Sequence, residues 1–82
     1  MNLKGEIRNL IENVISNMGY KLTDIEIGSE NNRFALIIKI DKENGITVED
    51  CARVSRYIDP IIEEANLIKR SWILIVSSPG SN

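Results

Sequence analysis

The sequence predicts an α+β fold, a two-layer α/β sandwich of order α-β-β-α-β, in which a three-stranded sheet carries both helices on one face. Two segments repeat apolar residues at helical spacing, so each helix has one stripe to bury. Three other segments alternate or concentrate apolar residues as strands do. A chain of 82 residues suits one small domain with a single core. Helices with one stripe each most simply cover the same sheet face, and the strand order stays open.

The first helix is predicted between Leu3 and Met18, where apolar residues recur at steps of three and four. Gly19 follows, and glycine is the usual residue where a helix ends in the left-handed conformation. Charged residues interrupt this segment throughout, so it is neither a signal peptide nor a membrane span. A cytoplasmic protein is expected.

Two strands follow. The first is predicted from Tyr20 to Ile27, with Leu22 out of phase and its burial left open. One face of this strand would carry Thr23, Ile25 and Ile27. Residues 28–32 are predicted as a hairpin loop. One face of the second strand would carry Phe34, Leu36, Ile38 and Ile40.

Turn and cap residues predict the start of the second helix. Gly45 can take the positive φ that closes a turn after the second strand. Thr47 is the expected N-cap, and Asp50 stands three residues later, where a capping-box partner belongs. Ile46 and Cys51 take the two hydrophobic staple positions, which predicts a packing role for Cys51.

Pro60 interrupts the second helix. Proline lacks a backbone donor, so the helix should kink or stop near Asp59, or Asp59 should cap a new helix with Pro60 at its first position. The last strand is predicted within Lys69 to Ser77, because residues 72–76 form a dense apolar run. Trp72 opens that run, and a place in the core or at its edge is favoured over a role as an exposed partner anchor.

Composition excludes several classes of function. The 12 acidic and 10 basic residues give a net charge of −2, so no overall positive field attracts a polyanion. The chain has no histidine and one cysteine, which cannot form an internal disulfide or a zinc site. We therefore expect no cofactor, no metal, no small-molecule substrate, no membrane attachment and no catalytic activity. The scattered carboxylates are expected to be solvated.

Nucleic-acid binding would have to be local. Arg53 and Arg56 share one face of the second helix, and Lys69 and Arg70 are candidates to lie near them. Because the neighbouring charges are mixed, an ordinary solvated helix face is favoured over a phosphate site for the two arginines. The loop motif of KH domains is absent, and the single phenylalanine disfavours an RRM.

The residues that follow the last strand are Ser77, Ser78, Pro79 and Gly80. A turn that ends the strand is the simpler interpretation, and an interdomain junction or a partner-binding surface is the functional one.

Several ordered motifs together resemble the N-terminal domain of the RimP family of bacterial ribosome maturation factors. They are Gly19-Tyr20, Leu22 to Glu26, Ile40 to Lys42, Gly45 to Thr47, Asp50-Cys51, Val54 to Arg56 and Val76 to Gly80. The resemblance spans essentially the whole chain. Its departure is the approach to the last strand, where Ala65 to Arg70 replaces the acidic segment that such sequences usually have.

The resemblance implies a non-catalytic factor that assists late assembly of the small ribosomal subunit by binding ribosomal RNA and ribosomal protein. It also implies a second, small β-barrel domain after Gly80, which this chain does not contain; the chain is either one domain of a longer protein or a naturally short relative. The expected contact surface is Arg53 and Arg56 with Ser77, Ser78, Pro79 and Gly80. The oligomeric state stays open.

Two alternatives come from other classes. The uncovered sheet face, with Ala35 and Ile37 exposed, would suit an autonomous interaction or homo-oligomerisation module. A small enzyme that depends on a metal or on the Cys51 thiol is the weaker alternative, because no base is available to activate the thiol.

Overall fold

The computed structural model describes residues 2–78, and its elements follow the predicted order α-β-β-α-β. The elements are α1 (Leu3–Asn17), β1 (Lys21–Glu30), β2 (Arg33–Asp41), α2 (Val48–Ala65) and β3 (Trp72–Ser77). The predicted fold class is therefore confirmed.

The three strands form one sheet in the order β1-β2-β3. β1 and β2 are antiparallel, and β2 and β3 are parallel. Parallel neighbours need a crossover connection, which α2 supplies. The start of α2 and the end of β3 consequently lie at one end of the sheet, the Thr47 end. The β1–β2 turn and Lys69-Arg70 lie at the opposite end, the hairpin end.

The core lies between the helices and one face of the sheet. Isoleucine dominates it, and isoleucine suits both a pleated sheet and a close-packed interior. The fully buried side chains are Ile7, Ile11, Ile15, Ile25, Leu36, Ile38, Ile40, Val54, Ile58 and Ile62. Phe34, Trp72, Leu74 and Val76 pack against this cluster while partly exposed, so Trp72 lies at the core edge as favoured.

A β-bulge in β1 decides which of its residues face the core. Leu22 pairs with Ile40 and Asp24 pairs with Lys39, so Thr23 is the extra residue between them. The bulge places Leu22 on the buried face with Ile25. The predicted alignment of Thr23 with Ile25 is wrong, because it assumed an uninterrupted two-residue period. The exposed Thr23 hydroxyl donates to the Lys39 carbonyl oxygen at 3.0 Å.

The hairpin between β1 and β2 is tighter than predicted. β1 continues to Glu30 and β2 starts at Arg33, which leaves a turn of two residues instead of the five in 28–32. Asn31 and Asn32 both have positive φ, 52° and 65°. Two positive φ values define the turn type that matches the strand twist, and asparagine adopts them more readily than most residues.

α2 is one continuous helix across Pro60, so the predicted stop at Asp59 and the alternative of a new helix are both wrong. Ile58 and Ile62 are fully buried on either side of the exposed proline. Their burial holds the backbone helical although proline removes one hydrogen bond.

The sheet face away from the helices carries Ala35, Ile37, Ile73 and Ile75, with an ion pair between Lys39 and Glu26 at 2.9 Å. Ile37, Ile73 and Ile75 are half-buried. Ala35 was expected to be exposed but is 1% exposed, because a small side chain is shielded by its neighbours on the same face.

Replacing Pro60 by alanine is expected to raise the free energy of unfolding by about 2 kcal/mol. An interior proline costs a helix ~3 kcal/mol, and its stiffening of the unfolded chain offsets about 0.4–1 kcal/mol. Urea denaturation followed by circular dichroism measures the change, with Glu63→Ala as an exposed control. A loss of stability in Pro60→Ala would mean that the proline itself contributes packing that α2 requires.

Candidate functional site

A buried hydrogen bond joins α1 to α2 at the Thr47 end. The Tyr20 hydroxyl donates to Asp50 Oδ1 at 2.6 Å, and both residues are buried. Tyr20 is held there by the end of α1. Gly19 has φ +94°, and the Gly19 and Tyr20 amides donate to the carbonyl oxygens of Ser16 and Ile15. These two bonds form the Schellman motif. Gly19 is therefore the left-handed residue that ends α1, as predicted.

Asp50 also closes the predicted capping box. Its amide donates to Thr47 Oγ1 at 3.1 Å, and its Oδ2 accepts from the Thr47 amide at 2.9 Å and from the Thr47 hydroxyl at 3.0 Å. The Asp50 carboxylate thus caps α2 with one oxygen and holds Tyr20 with the other. Gly45, with φ +91°, turns the chain into this cap as expected.

Two cations surround the Tyr20–Asp50 pair. Lys42 Nζ lies 5.3 Å from the centre of the Tyr20 ring and 3.6 Å from Asp50 Oδ1. Arg53 Nη1 donates to Tyr20 Oη at 3.1 Å and lies 3.9 Å from Asp50 Oδ1. We call Tyr20, Lys42, Thr47, Asp50 and Arg53 the polar cluster. The hydrogen bond to Tyr20 holds one nitrogen of the Arg53 guanidinium group in place, while 53% of the Arg53 side chain stays exposed.

These contacts shift two ionisations. The hydrogen bond from Tyr20, followed by the backbone hydrogen bond from Thr47, holds the pKa of Asp50 well below its usual value. The same hydrogen bond, with burial and the Asp50 charge, raises the pKa of Tyr20. At neutral pH, Asp50 is therefore ionised and Tyr20 is neutral, which is the protonation state that the bond between them needs.

Sequence reasoning missed the polar cluster. It placed Asp50 in the capping box but expected the carboxylate to be solvated, whereas Asp50 is 5% exposed. That expectation was wrong because the partner, Tyr20, is 30 residues away in the chain. A signal was present: four of the motifs that carry the family resemblance contain Tyr20, Lys42, Thr47 and Asp50.

The structure separates the predicted basic residues into two groups. Arg53 and Arg56 are exposed on α2, three residues apart and so on neighbouring positions of one face. Lys69 and Arg70 lie at the hairpin end, where the Arg70 guanidinium is 5.6 Å from the Phe34 ring. The suggested proximity of Lys69 and Arg70 to the arginines of α2 is wrong, because the crossover places them where α2 ends.

Ser77 and Ser78 lie beside the start of α2. They line a shallow groove of about 260 Å³ with Ile46, Thr47, Val48, Cys51 and Val76. Pro79 and Gly80, which complete the predicted surface, lie outside the described residues. Ser77 and Ser78 therefore lie at the Thr47 end, as the polar cluster does. Arg53 lies on the side of α2 that faces the end of α1.

A second, larger groove lies between α1 and α2. It has a volume of about 460 Å³ and is lined by Val14, Asn17, Met18, Arg53 and Tyr57. We call it the interhelix groove. Tyr57 is 59% exposed and is one of three large hydrophobic side chains of the described residues that are exposed, with Ile27 and Val48. Sequence analysis did not single out Tyr57, because helical spacing does not show which side chains of two helices meet.

The Cys51 thiol and the carboxylates are the side chains to consider for reactive or metal-binding chemistry. Cys51 is half-buried, and burial, with the Asp50 charge, raises the pKa of its thiol, which disfavours the nucleophilic thiolate. Within residues 2–78, no group of three or more Cys, Asp or Glu side chains is placed to hold a metal ion. No helix in this part of the chain is both long and apolar enough to cross a membrane.

A protein-family model matches most of this chain. Residues 10–82 match the family model described as the RimP N-terminal domain. The matched range contains every residue of the polar cluster and every residue that lines the interhelix groove.

The depressed pKa of Asp50 predicts a pH-dependent stability. An unfolded aspartate titrates near pH 4, and the folded one titrates lower. Unfolding therefore takes up protons as the pH falls below about 4, and the stabilisation by the Asp50 charge, complete above that range, is lost. The difference in unfolding free energy between wild type and Asp50→Asn should shrink from pH 6 to pH 2 in urea denaturation. A difference that stays constant over this range would contradict the assigned ionisation, and Glu49→Gln serves as the exposed control.

Proposed function

This chain belongs to the RimP family of ribosome maturation factors, and on that premise we propose that it assists late assembly of the small ribosomal subunit by binding ribosomal RNA and ribosomal protein. The family match over residues 10–82 is the observation on which the proposal depends. Cytoplasmic action follows from the proposal, since ribosomes of bacteria assemble there.

The proposed mechanism is binding without bond chemistry. A factor that binds one assembly state more tightly than another shifts the population towards that state by the difference in binding free energy. A tenfold preference corresponds to about 1.4 kcal/mol, which one or two well-placed polar contacts can supply. The raised pKa of the Cys51 thiol supports a non-catalytic role.

The polar cluster supports Arg53 and Arg56 as the contact surface. Arg53 is held by the Tyr20 hydroxyl, so it loses less side-chain freedom on binding than an unrestrained arginine. Arg56 is exposed one helical turn further on. A planar guanidinium suits phosphate oxygens, which it contacts with two N–H groups at once. Ser77, Ser78, Pro79 and Gly80 remain the predicted second part of the surface.

A second candidate function is self-association through the open sheet face. The observation that favours it is the half-buried apolar row Ile37, Ile73 and Ile75, which the helices do not cover. Size-exclusion chromatography with light scattering distinguishes the two functions. A stable dimer that Ile75→Lys dissociates without affecting ribosome binding would establish the second function beside the first.

Co-sedimentation with immature small subunits, mature small subunits and large subunits tests the proposed function. The chain should bind immature small subunits preferentially, and Arg53→Gln with Arg56→Gln should weaken that binding about tenfold or more, because hydrogen bonds to charged groups contribute about 1.5–3 kcal/mol.

Lys69→Gln with Arg70→Gln is the matched control, because it removes two exposed positive charges at the hairpin end. Arg53→Gln also removes the contact with Tyr20, so circular dichroism must show that each variant is folded. Equal weakening by Lys69→Gln with Arg70→Gln would mean that net charge alone determines binding. Absence of binding to every subunit would overturn the proposed function.

A further inference from the structure

The four aromatic residues of the chain have different surroundings. Tyr20 is buried in the polar cluster, and Phe34 and Trp72 pack against the core. Tyr57 is exposed, and within residues 2–78 no hydrogen bond or cation–π contact involves it. Tyrosine is also a poorer helix former than alanine or leucine. Neither packing nor helix propensity therefore accounts for a tyrosine at this position.

The open groove beside Tyr57, with its volume of about 460 Å³, has room for a small planar group. Val14 and Met18 supply apolar surface from α1, and Asn17 supplies an amide that can both donate and accept hydrogen bonds. Arg53 supplies the only charge among the five lining residues, so the groove contains a cation and no carboxylate.

The charges around this groove favour an anionic ligand. The Asp50 carboxylate lies 3.9 Å from Arg53 Nη1 and offsets part of its charge. Lys42 lies 3.6 Å from the same carboxylate oxygen and Arg56 adds a further positive charge, so these four residues together are positive. Arg56 makes no ion pair with any residue in the described range 2–78. The two arginines thus retain most of their N–H donors for a ligand, with one donor of Arg53 used by the Tyr20 hydroxyl.

We propose that the interhelix groove binds an unpaired base of ribosomal RNA, stacked on Tyr57 and hydrogen-bonded by Asn17, with Arg53 and Arg56 contacting the adjoining phosphates. An exposed aromatic ring, an amide and arginines with N–H donors to spare are the groups by which proteins hold splayed-out RNA bases. A duplex is disfavoured, because its stacked bases cannot present a ring face to Tyr57. This inference rests on the proposed function and specifies the ligand of the same surface.

The test compares wild type, Tyr57→Ala and Tyr57→Phe in binding to immature small subunits and to the protein-free RNA extracted from them. Tyr57→Ala should weaken binding to both by between about fivefold and about a hundredfold, the range for loss of one stacked base. Tyr57→Phe keeps the ring and should bind nearly as wild type does. Asn9→Ala, at an exposed and neutral position of α1 outside both grooves, is the control.

Two further measurements separate stacking from charge. A single-stranded RNA that contains 2-aminopurine should lose fluorescence on binding wild type, and Tyr57→Ala should abolish that loss. Arg56→Gln should reduce the slope of log affinity against log salt by about 0.7, the value for one phosphate contact on single-stranded nucleic acid, whereas Lys69→Gln should leave it unchanged.

The outcomes distinguish this inference from the proposed function. If wild type binds subunits and Tyr57→Ala binds equally well, the base site is wrong and the proposed function stands. If Tyr57→Ala weakens binding to subunits but not to extracted RNA, the groove holds ribosomal protein and the inference is overturned. If wild type binds no subunit but quenches 2-aminopurine through Tyr57, the base site stands and the proposed function fails. If it does neither, both are wrong.

Discussion

The 2.6 Å hydrogen bond between the Tyr20 hydroxyl and Asp50 joins the residues that follow α1 to the first turn of α2. Tyr20 is fixed by the end of α1 and Asp50 by the start of α2, so one bond sets the relative position of the helices. A buried charge is costly unless its hydrogen-bonding capacity is met. Here both carboxylate oxygens are satisfied, and no buried side-chain nitrogen or oxygen in residues 2–78 lacks a partner.

The apolar core and the polar cluster have different roles in the fold. The core isoleucines supply the favourable burial free energy, but isoleucine contacts are non-directional and tolerate small shifts. The hydrogen bonds of Asp50 are directional, so they specify one arrangement of the helices. The interhelix groove lies beside them, with Arg53 belonging to both. The geometry that the cluster specifies is therefore also the geometry of the surface proposed to bind RNA.

The sequence predicts most of the elements and little of the site, for identifiable reasons. Helical spacing in α1 and α2 and the alternation in β2 depend on neighbouring residues, so these elements are readable from the chain. The bulge at Thr23 changes the period within β1 and cannot be seen without the partner strand. Arg53 is placed correctly on α2, but the groove that Tyr57 lines with Val14 and Met18 exists only because the two helices lie side by side.

Pro60 and Tyr57 lie on the same helix, and local propensity disfavours both. The helix tolerates them because Val54, Ile58 and Ile62 anchor its opposite face with complete burial. Tertiary burial thus leaves the outer face of α2 free to carry residues that do not favour a helix. For Tyr57, the interhelix groove offers a use for this freedom, since an exposed ring beside arginines is suited to a base and lies outside the core cluster. Residues that conflict with local preference on a well-anchored helix are therefore the first to consider when a binding surface is sought.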